Sequence, residues 1–466
     1  MNLSQLVPSD FCLKCRGCCI FSGDALAPAE PDDAWCARLM VEEEIALEKR
    51  VPGVSFGGRL LTVPFSGGRH ACRCLDPQSH HCRIYDARPF ECAVYPFLLS
   101  AENGRLRLYV HSACPYVREK RRSPEWEPYV AALKAFFLLP DNSSLLKAAN
   151  ASYPDYSVFK DEVEFVSDIP FIDGAAALLA RKPELDGWFA RRRAPLSSRS
   201  LVSLVAWSDL FDFHIEEADG NGLVYARQGA AEFLYCPPLG ASISAQAVEE
   251  VFRHMKNNAA RIEGVSQGEL AAFDNTRYRD HVQGEEYYYE RARLASLAGN
   301  DYRSKRSDIN AFVRKHQPVF RAFRPQDTAA CHDLFDRWLD KRRASYEDGI
   351  YRAMLVENRP VHRRMIASAA ELGLIGRVVE VAGRPAGYTF GYELNADTFC
   401  VALEVTAPEF KGLPSFIFRE FCADAELASF KYINAMDDFG MPGVARAKRS
   451  WRPAFLEKVY AICLKP

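Results

Sequence analysis

The sequence predicts an α+β protein in which a small, loop-rich, cysteine-rich domain precedes two similar domains, each with a mixed, mainly antiparallel sheet flanked by helices. Three observations predict this fold class. The chain has 466 residues, more than one hydrophobic core usually serves. Ten of its 15 cysteines lie before residue 120. Beyond residue 195, short apolar runs typical of strands are interleaved with runs of helical spacing.

The composition is that of an ordinary folded protein. Apolar residues make up 48% of the chain and charged residues 26%, which excludes a wholly disordered chain. The 59 basic and 61 acidic side chains leave a formal charge of −2, so overall charge gives no reason to expect a nucleic-acid or membrane partner. We recognise neither a signal peptide nor an apolar run long enough to span a membrane, and we expect a cytoplasmic protein.

Changes of pattern along the chain predict four segments. They are a cysteine-rich metal-binding domain over residues 1–120, a helical connector over 121–195, a first half over 196–296 and a second half over 297–466. Within the first segment, the run from Asp32 to Arg50 predicts a helix with an aspartate cap, outward-facing glutamates and the buried thiol of Cys36.

The stretch CLKCRGCC, which begins at Cys12, places four thiols within eight residues. A C-x-x-C spacing lets two thiolates bind one ion around a tight turn, and in a reducing compartment such a cluster holds a metal more often than it forms disulfides. Cys18 and Cys19 are adjacent and cannot easily bind the same ion, so we expect them to serve different metals or different irons. The spacing leaves zinc and an iron–sulfur cluster open.

The rest of the cysteine pattern resembles a known family. CRCL, CRIYDARPFEC and a later CP pair follow CLKCRGCC in the order typical of the YkgJ-type family, described as zinc- or iron-chelating. The resemblance implies two four-ligand sites, with Cys74 extra and with Arg88 offsetting thiolate charge. His80 and His81 are either substitute ligands or exposed loop residues. The implied ligands are Cys12, Cys15, Cys18, Cys19, Cys72, Cys82, Cys92 and Cys114.

The second half alternates strands and helices in the order β, α, α, β, β, β, α, β, α, β, from the strand PVFRAF at residue 318 to the strand FLEKVYAICL that ends at residue 464. This order resembles the GNAT acyltransferase fold, whose sheet is splayed to admit an acyl donor. The first half, from DLFDFHIEE to HVQGEEYYYE, gives a shortened version of the same order. The resemblance implies two tandem GNAT-like domains with mixed, mainly antiparallel sheets.

Two stretches of the second half carry candidate donor-binding residues. On the helix that follows AGN, Tyr302, Lys305, Ile309 and Phe312 share one face, and neighbouring arginines make the region basic. This helix either only faces solvent or binds the phosphates of a donor, which would be coenzyme A or tRNA. The later stretch DDFGMPGVARAKRSWRPAF contains a basic helix that is either preceded by a plain turn or forms a phosphate site.

Together the two stretches resemble the C-terminal domain family of phosphatidylglycerol lysyltransferase, itself a tandem GNAT fold. Members with known activity move an amino acid from aminoacyl-tRNA to a lipid head group. Ala445 stands where the family usually has an arginine, and the membrane-spanning part of the lysyltransferases is missing, so a bilayer lipid substrate loses support. The matching residues are Gly299, Tyr302, Lys305, Arg306, Ile309, Phe312, Asp438, Gly440, Gly443, Lys448, Trp451 and Pro453.

Acyl transfer needs a base and a means of aligning the two reactants. Glu404, near the end of the strand TFCVALEV, either stands where GNAT-like enzymes place a base or faces outward. Asp438 either orients an acceptor amine or caps the next helix. In EFKGLPSF only one glycine of the usual pyrophosphate loop remains, which favours aminoacyl-tRNA or another donor over acyl-CoA. The candidate donor-binding residues are Tyr302, Lys305, Arg306 and Lys448.

We therefore predict a GNAT-fold aminoacyl- or acyltransferase with a zinc or iron–sulfur module. The alternative is a metal- or redox-responsive binding protein whose GNAT-like halves are inactive. Transfer of a labelled amino acid, or RNA that co-purifies with the protein, favours the enzyme. A reversible redox change that alters conformation without turnover favours the binding protein. The sequence names neither the acceptor nor the metal nor the oligomeric state.

Overall fold

The computed structural model describes the chain apart from short stretches. These are residues 1–4, 16, 22–34, 52–53, 55, 80, 103–104, 122, 140–141, 143–144, 147–152, 171–172, 193, 229–230, 256–259, 345–348, 439 and 466. The chain divides into two compact units, residues 1–173 with 348–357, and residues 174–347 with 358–466. The domain boundaries at residues 120, 195 and 296 stay predictions. Within the described residues, no helix has both the length and the apolar character needed to cross a membrane.

The first unit contains short helices and two antiparallel sheets. Its helices are α1 (Ser9–Cys15), α2 (Val41–Arg50), α3 (Phe90–Val94), α4 (Pro115–Lys120) and α5 (Trp126–Phe137). Its strands are β1 (Ile20–Phe21), β2 (Thr62–Pro64), β3 (His70–Cys72), β4 (Phe97–Glu102), β5 (Arg105–His111) and β6 (Val163–Ile169). The sheet orders are β1-β3-β2 and β4-β5-β6.

The larger sheet of the first unit shares a hydrophobic core with α5. Phe97 of β4 is fully buried, and its ring centre lies 5.3 Å from that of Trp126 at the start of α5. β6 extends this sheet, although only helices were predicted between residues 121 and 195. Only Val163 and Ile169 of β6 are buried. The strand therefore lacks the alternation of apolar and polar residues from which a strand is predicted.

The predicted helix from Asp32 to Arg50 is wrong in its first part. α2 begins only at Val41, residues 36–40 are not helical, and Asp32 lies outside the described residues. The backbone N–H of Leu39 donates instead to the carbonyl of Gly58 at 2.9 Å. Pairing with a distant segment therefore replaces the helical hydrogen bonds that local sequence favours.

The glutamates of α2 were expected to face water, and this too is wrong for Glu44. Its side chain is completely buried, and its two oxygens accept hydrogen bonds from the backbone N–H groups of Gly57 and Gly58 at 3.1 and 3.0 Å. Buried backbone N–H groups need acceptors, and the Glu44 carboxylate of α2 supplies them for the turn at Gly57 and Gly58. Cys36 is buried, as predicted, but lies before the helix.

The second unit is larger and is built around one sheet. The remaining helices of the chain are α6 (Gly174–Ala180), α7 (Lys182–Arg191), α8 (Leu201–Trp207), α9 (Ala245–His254), α10 (Arg291–Ser296), α11 (Arg303–His316), α12 (Thr328–Ala344), α13 (Gly349–Ala367), α14 (Leu413–Ala423) and α15 (Pro442–Arg449). Residues 349–357 of α13 belong to the first unit. The first-half strands are β7 (Asp212–Ala218), β8 (Asn221–Gln228), β9 (Ala231–Leu234), β10 (Arg261–Ser266) and β11 (Tyr278–Glu290). The second-half strands are β12 (Val319–Ala322), β13 (Ile375–Val381), β14 (Arg384–Asn395), β15 (Thr398–Thr406), β16 (Tyr432–Asn434) and β17 (Phe455–Leu464).

The element order predicted for the second half is confirmed. The two halves share a single 11-stranded sheet, in the order β12-β13-β14-β15-β16-β11-β17-β10-β9-β8-β7. The last strand, β17, lies between β11 and β10, so it pairs with two strands of the first half. Neighbouring strands are antiparallel except β15 with β16 and β9 with β10. The mixed, mainly antiparallel character predicted from the sequence is therefore confirmed.

The sheet opens between β15 and β16. The two strands pair in parallel only from Thr398 to Cys400 on β15 and from Tyr432 to Asn434 on β16. β15 continues to Thr406 with β14 alone as its strand partner among the described residues. Because its last residues have no neighbour on the β16 side, the sheet has an internal gap that can admit side chains or a ligand.

The central position of β17 predicts where the second unit is most sensitive to mutation. Ile462 is 2% exposed and packs in the core of the first half, whereas Leu464 on the same strand is 45% exposed. Ile462→Ala should lower the free energy of unfolding by about 2–5 kcal/mol. Leu464→Ala should change it by less than about 0.5 kcal/mol. Urea denaturation followed by intrinsic fluorescence measures both, and equal effects would contradict this packing.

Candidate functional site

Eight cysteines of the first unit line a single cavity of about 490 Å³. α1 carries two of them, the 3-10 turn Gly17–Cys19 carries two more, and β3, α3 and the start of α4 contribute one each. Cys74 is buried but lies outside this lining. The lining cysteines are Cys12, Cys15, Cys18, Cys19, Cys72, Cys82, Cys92 and Cys114. The structure therefore brings together the whole set that the resemblance implied.

Several of these thiols contact one another. Cys18 is hydrogen-bonded to both Cys12 and Cys19. The bond from Cys18, helped by the positive charge of Arg88, lowers the pKa of Cys12 to about 7 against the opposing effect of burial. The guanidinium of Arg88 stacks 3.7 Å from the ring centre of Tyr85, and it donates to the backbone carbonyl of the same residue. Arg88 thus stands where it can balance thiolate charge, as the sequence suggested.

The cavity gathers donors without arranging them as a coordination shell. No group of three or more Cys, His, Asp or Glu side chains in the described part of the chain has metal-binding geometry. The donor chemistry nevertheless fits zinc or an iron–sulfur cluster, because eight thiols face one space beside a guanidinium. His81 is exposed and is not part of the lining, and His80 lies outside the described residues.

In the second unit, Lys448 of α15 points its ammonium at the turn that follows β16. Nζ donates to the carbonyl oxygens of Ala435, at 2.5 Å, and Asp437, and it lies 5.6 Å from the centre of the Tyr287 ring. Burial lowers the pKa of Lys448, and the carboxylates of Asp437 and Glu286 oppose this shift. The ammonium is therefore bound to the protein backbone at the mouth of the sheet opening.

Glu404 lies on the part of β15 that has no neighbour on the β16 side. Its Oε2 atom is shielded from solvent and has no hydrogen-bond partner among the described residues. Burial raises the pKa of Glu404 to about 8, and the charge of Lys448 limits the rise. The opening thus holds a carboxyl group with a free oxygen and a pKa of about 8, within electrostatic reach of the Lys448 ammonium. A carboxyl group in such a state can exchange protons with a substrate.

Asp438 closes the turn between β16 and α15. Its Oδ2 atom accepts a hydrogen bond from the hydroxyl of Tyr287 at 2.6 Å, and its Oδ1 atom accepts one from the N–H of Gly440 at 3.0 Å. The capping alternative is wrong, because the N-cap of α15 is Met441 and the Asp438 carboxylate bonds within the turn before it. The role of Asp438 in orienting an acceptor amine stays a prediction.

The three predicted donor-binding residues on and before α11 have protein partners. The buried hydroxyl of Tyr302 donates to the carbonyl of Trp451 at 3.0 Å, and the ammonium of Lys305 lies 4.4 Å from the centre of the Trp451 ring. Arg306 donates to the carbonyl of Gly299 at 2.7 Å. Tyr302 and Lys305 thus meet a residue just after α15, which explains why the two stretches occur together in one sequence. Arg306 secures the loop before α11.

The structure also shows a buried polar group that the sequence did not indicate. Glu286 of β11 is 4% exposed and accepts hydrogen bonds from Ser197 and from Asn434, the last residue of β16. In the sequence it is one acidic residue in HVQGEEYYYE, and nothing there separates it from its neighbour Glu285. Only the pairing of β11 with β16 brings it to the opening.

Two family models match the chain. The family model described as "Phosphatidylglycerol lysyltransferase, C-terminal" matches residues 190–463, and the one described as "Putative zinc- or iron-chelating domain" matches residues 11–115. No curated protein matches the sequence closely. The first match contains the sheet opening, and the second contains seven of the lining cysteines from Cys12 to Cys92 together with Cys114.

Several solved structures resemble about three fifths of the chain. A conserved protein of unknown function from Bacteroides thetaiotaomicron is 24% identical, with a TM-score of 0.55 over 62% of this chain and 97% of that one. L-PGS from Bacillus licheniformis is 12% identical, with a TM-score of 0.44 over 60% and 90%. A tandem GNAT protein from the clavulanic acid biosynthesis pathway is 11% identical, with a TM-score of 0.39 over 64% and 98%. The likeness to the first of these structures concerns the fold alone.

Glu404→Gln should stabilise the protein at alkaline pH but not at acid pH. The pKa of Glu404 is raised from an ordinary value of 4.5 to about 8, so its ionisation does not reduce the stability below pH 4.5. The cost then grows as the pH rises toward 8, where the unfolded chain is ionised and the folded one resists ionisation. Melting temperatures at about pH 9 and about pH 5 test this, with the exposed Glu393→Gln as control. An equal difference at both pH values would refute the buried ionisation.

Cys92→Ser should reduce the metal content of protein purified without oxygen by about half or more, because one four-thiolate site loses a ligand. Cys36→Ser, which removes a buried thiol outside the cavity lining, should leave the content unchanged. Metal and acid-labile sulfide analysis measures both, and zinc without sulfide or iron with sulfide identifies the centre. Equal loss in the two variants would contradict the assignment of the cavity.

Proposed function

We propose that this chain, which belongs to the family described as "Phosphatidylglycerol lysyltransferase, C-terminal", is an aminoacyltransferase. The proposed reaction moves an aminoacyl group from aminoacyl-tRNA to an acceptor amine. The observation that carries the proposal is the sheet opening, where Glu404 presents a free, solvent-shielded oxygen beside the ammonium of Lys448. Transfer requires a base of near-neutral pKa that is kept from bulk water, and the shielded oxygen and raised pKa of Glu404 support this role.

The proposed reaction uses Glu404 as the proton carrier. The acceptor nitrogen attacks the ester carbonyl carbon of the donor, so that a C–N bond forms and the C–O bond to the ribose breaks. The proton leaves the nitrogen for the Glu404 carboxylate and then passes to the departing ribose oxygen, which leaves as a hydroxyl. Because Glu404 must be ionised to accept the proton, the rate should rise with pH up to about 8.

Lys448 supports this role without carrying the proton. Its ammonium is held by the carbonyls of Ala435 and Asp437, and its positive charge favours the ionised form of Glu404. A fixed charge in a shielded site acts more strongly than one in water. We therefore assign Lys448 to electrostatic support of the base, and Tyr302 and Lys305 to holding Trp451 and the end of α15 in place.

The segment before α14 supports aminoacyl-tRNA over acyl-CoA as donor. Gly412 has φ +89°, and a side-chain carbon added there would come within 2.5 Å of the Asp308 carbonyl oxygen on α11. Pro414 lies in the first turn of α14 and has no N–H to offer. The usual place for a CoA pyrophosphate is therefore packed against α11. The exposed Arg446 and Arg449 of α15 offer positive charge for RNA phosphates instead.

The first unit would hold zinc or an iron–sulfur cluster through the eight lining cysteines. Such a centre supplies either a structural link between the loops that carry the thiols or a group that exchanges electrons. The residues of this chain contribute the thiolates and the balancing charge of Arg88. A redox-responsive module of this kind also fits the alternative binding protein, and the transfer assay separates the two.

Purified protein should transfer a radiolabelled amino acid from aminoacyl-tRNA to an amine acceptor drawn from a panel of amino acids, peptides and amino-lipids. Glu404→Gln should lower kcat by about 100-fold or more and remove the rise of the rate with pH, because the base is lost. Glu393→Gln, on the neighbouring strand, should behave like the unchanged protein.

Full activity in the Glu404→Gln protein would contradict the assigned base. No transfer from any aminoacyl-tRNA, together with a conformational change on oxidation, would contradict the enzyme and support the binding protein.

A further inference from the structure

We propose that Glu286 is a positioning residue for the transfer reaction, because it holds Asn434 and, through Asn434, the turn that fixes Lys448 beside Glu404. The inference rests on the proposed function and adds to it a residue from the first half of the second unit. Its mechanical part, the hold on Lys448, can be measured without any substrate.

Glu286 accepts hydrogen bonds at both of its oxygens. Its Oε1 atom accepts from the Ser197 hydroxyl at 2.6 Å, and both oxygens lie 3.0 Å from the backbone nitrogen of the same serine. Its Oε2 atom also accepts from the side-chain amide of Asn434 at 2.6 Å. A carboxylate this deeply buried is tolerated only when such donors surround it. With both oxygens bonded to Ser197 and Asn434, Glu286 orients these two neighbours.

Asn434, held by Glu286, also bonds to the turn after β16. Its side-chain oxygen accepts the backbone N–H of Met436 at 2.6 Å. Met436 has φ +58°, a left-handed conformation that costs free energy in any residue other than glycine. On the other side, the backbone of Tyr287 bonds to Ala435 and to Met436 at 3.0 and 3.1 Å. The strained turn is thus held between Asn434 and β11.

The turn in turn determines where Lys448 lies. The carbonyls that accept from its ammonium belong to Ala435 and Asp437, the residues on either side of Met436. If Met436 leaves its left-handed conformation, these two carbonyls rotate and no longer converge. The ammonium then moves away from Glu404, and the electrostatic support of the base is lost.

Glu286→Gln tests this chain of contacts. In either orientation the new amide sets an N–H group against a donor, which is the side-chain amide of Asn434 or the backbone N–H of Ser197. Asn434 cannot turn over to relieve this without losing the Met436 hydrogen bond. We expect Lys448 to react several-fold faster with an acetic acid N-hydroxysuccinimide ester, as measured by peptide mass spectrometry with exposed Lys458 as internal reference. We also expect kcat to fall by about 10- to 100-fold with a smaller change in KM for the donor.

A second substitution should restore the coupling. In the Glu286→Gln, Asn434→Asp double variant, the new carboxylate can accept from both the side-chain amide introduced at position 286 and the Met436 N–H, so Lys448 should again react slowly and kcat should recover. Glu457→Gln serves as control, because Glu457 lies directly opposite Glu286 on β17. It should leave the labelling rate of Lys448 unchanged.

Unchanged labelling of Lys448 in a folded Glu286→Gln protein would overturn the inference. If that variant fails to fold, the double variant decides: slow labelling supports the coupling and fast labelling overturns it. Because labelling is read without substrate, an absence of transfer activity in the unchanged protein would count against the proposed function alone.

Discussion

The separation of β15 from β16 is the constraint on which the rest of the second unit depends. A gap inside a sheet leaves backbone groups without partners, and such groups are costly when buried. Here side chains replace the missing strand: the ammonium of Lys448 bonds the carbonyls of the turn after β16, and Asn434 bonds the N–H of Met436. The groups that stabilise the gap are the same groups that give it chemical character.

The sequence singles out Glu404 and Lys448 separately and does not indicate that they lie near one another. Glu404 and Lys448 were both selected, one as a base and one as a donor contact, and the structure places their charges close enough to affect one another. Glu286 was missed because its role depends on the pairing of β11 with β16, strands separated by about 140 positions, which strand periodicity does not encode. Arg306 shows the converse, since its motif position is real but its partner is a backbone carbonyl.

The fold was predicted best where patterns are local. Helical spacing and alternating strands gave the order of the second half, and clustered cysteines marked the first unit. The prediction was wrong where a distant segment competed with local preference, as before α2, where Leu39 pairs with Gly58. The cysteines that line the cavity come from several short elements. Periodicity does not group them, and only the resemblance to a known family predicted the set. Both units therefore assemble their polar sites from residues distant in sequence.

The most direct test of the central claim is a crystal structure with a hydrolysis-resistant donor analogue, a 3′-aminoacylamino-adenosine that mimics the end of an aminoacyl-tRNA. We expect the analogue to bind between β15 and the turn after β16, with its amide carbonyl carbon facing Glu404 and its ribose nearer to α15. Binding at another place on the second unit, with the opening unchanged, would contradict the claim that this gap in the sheet is the reaction site.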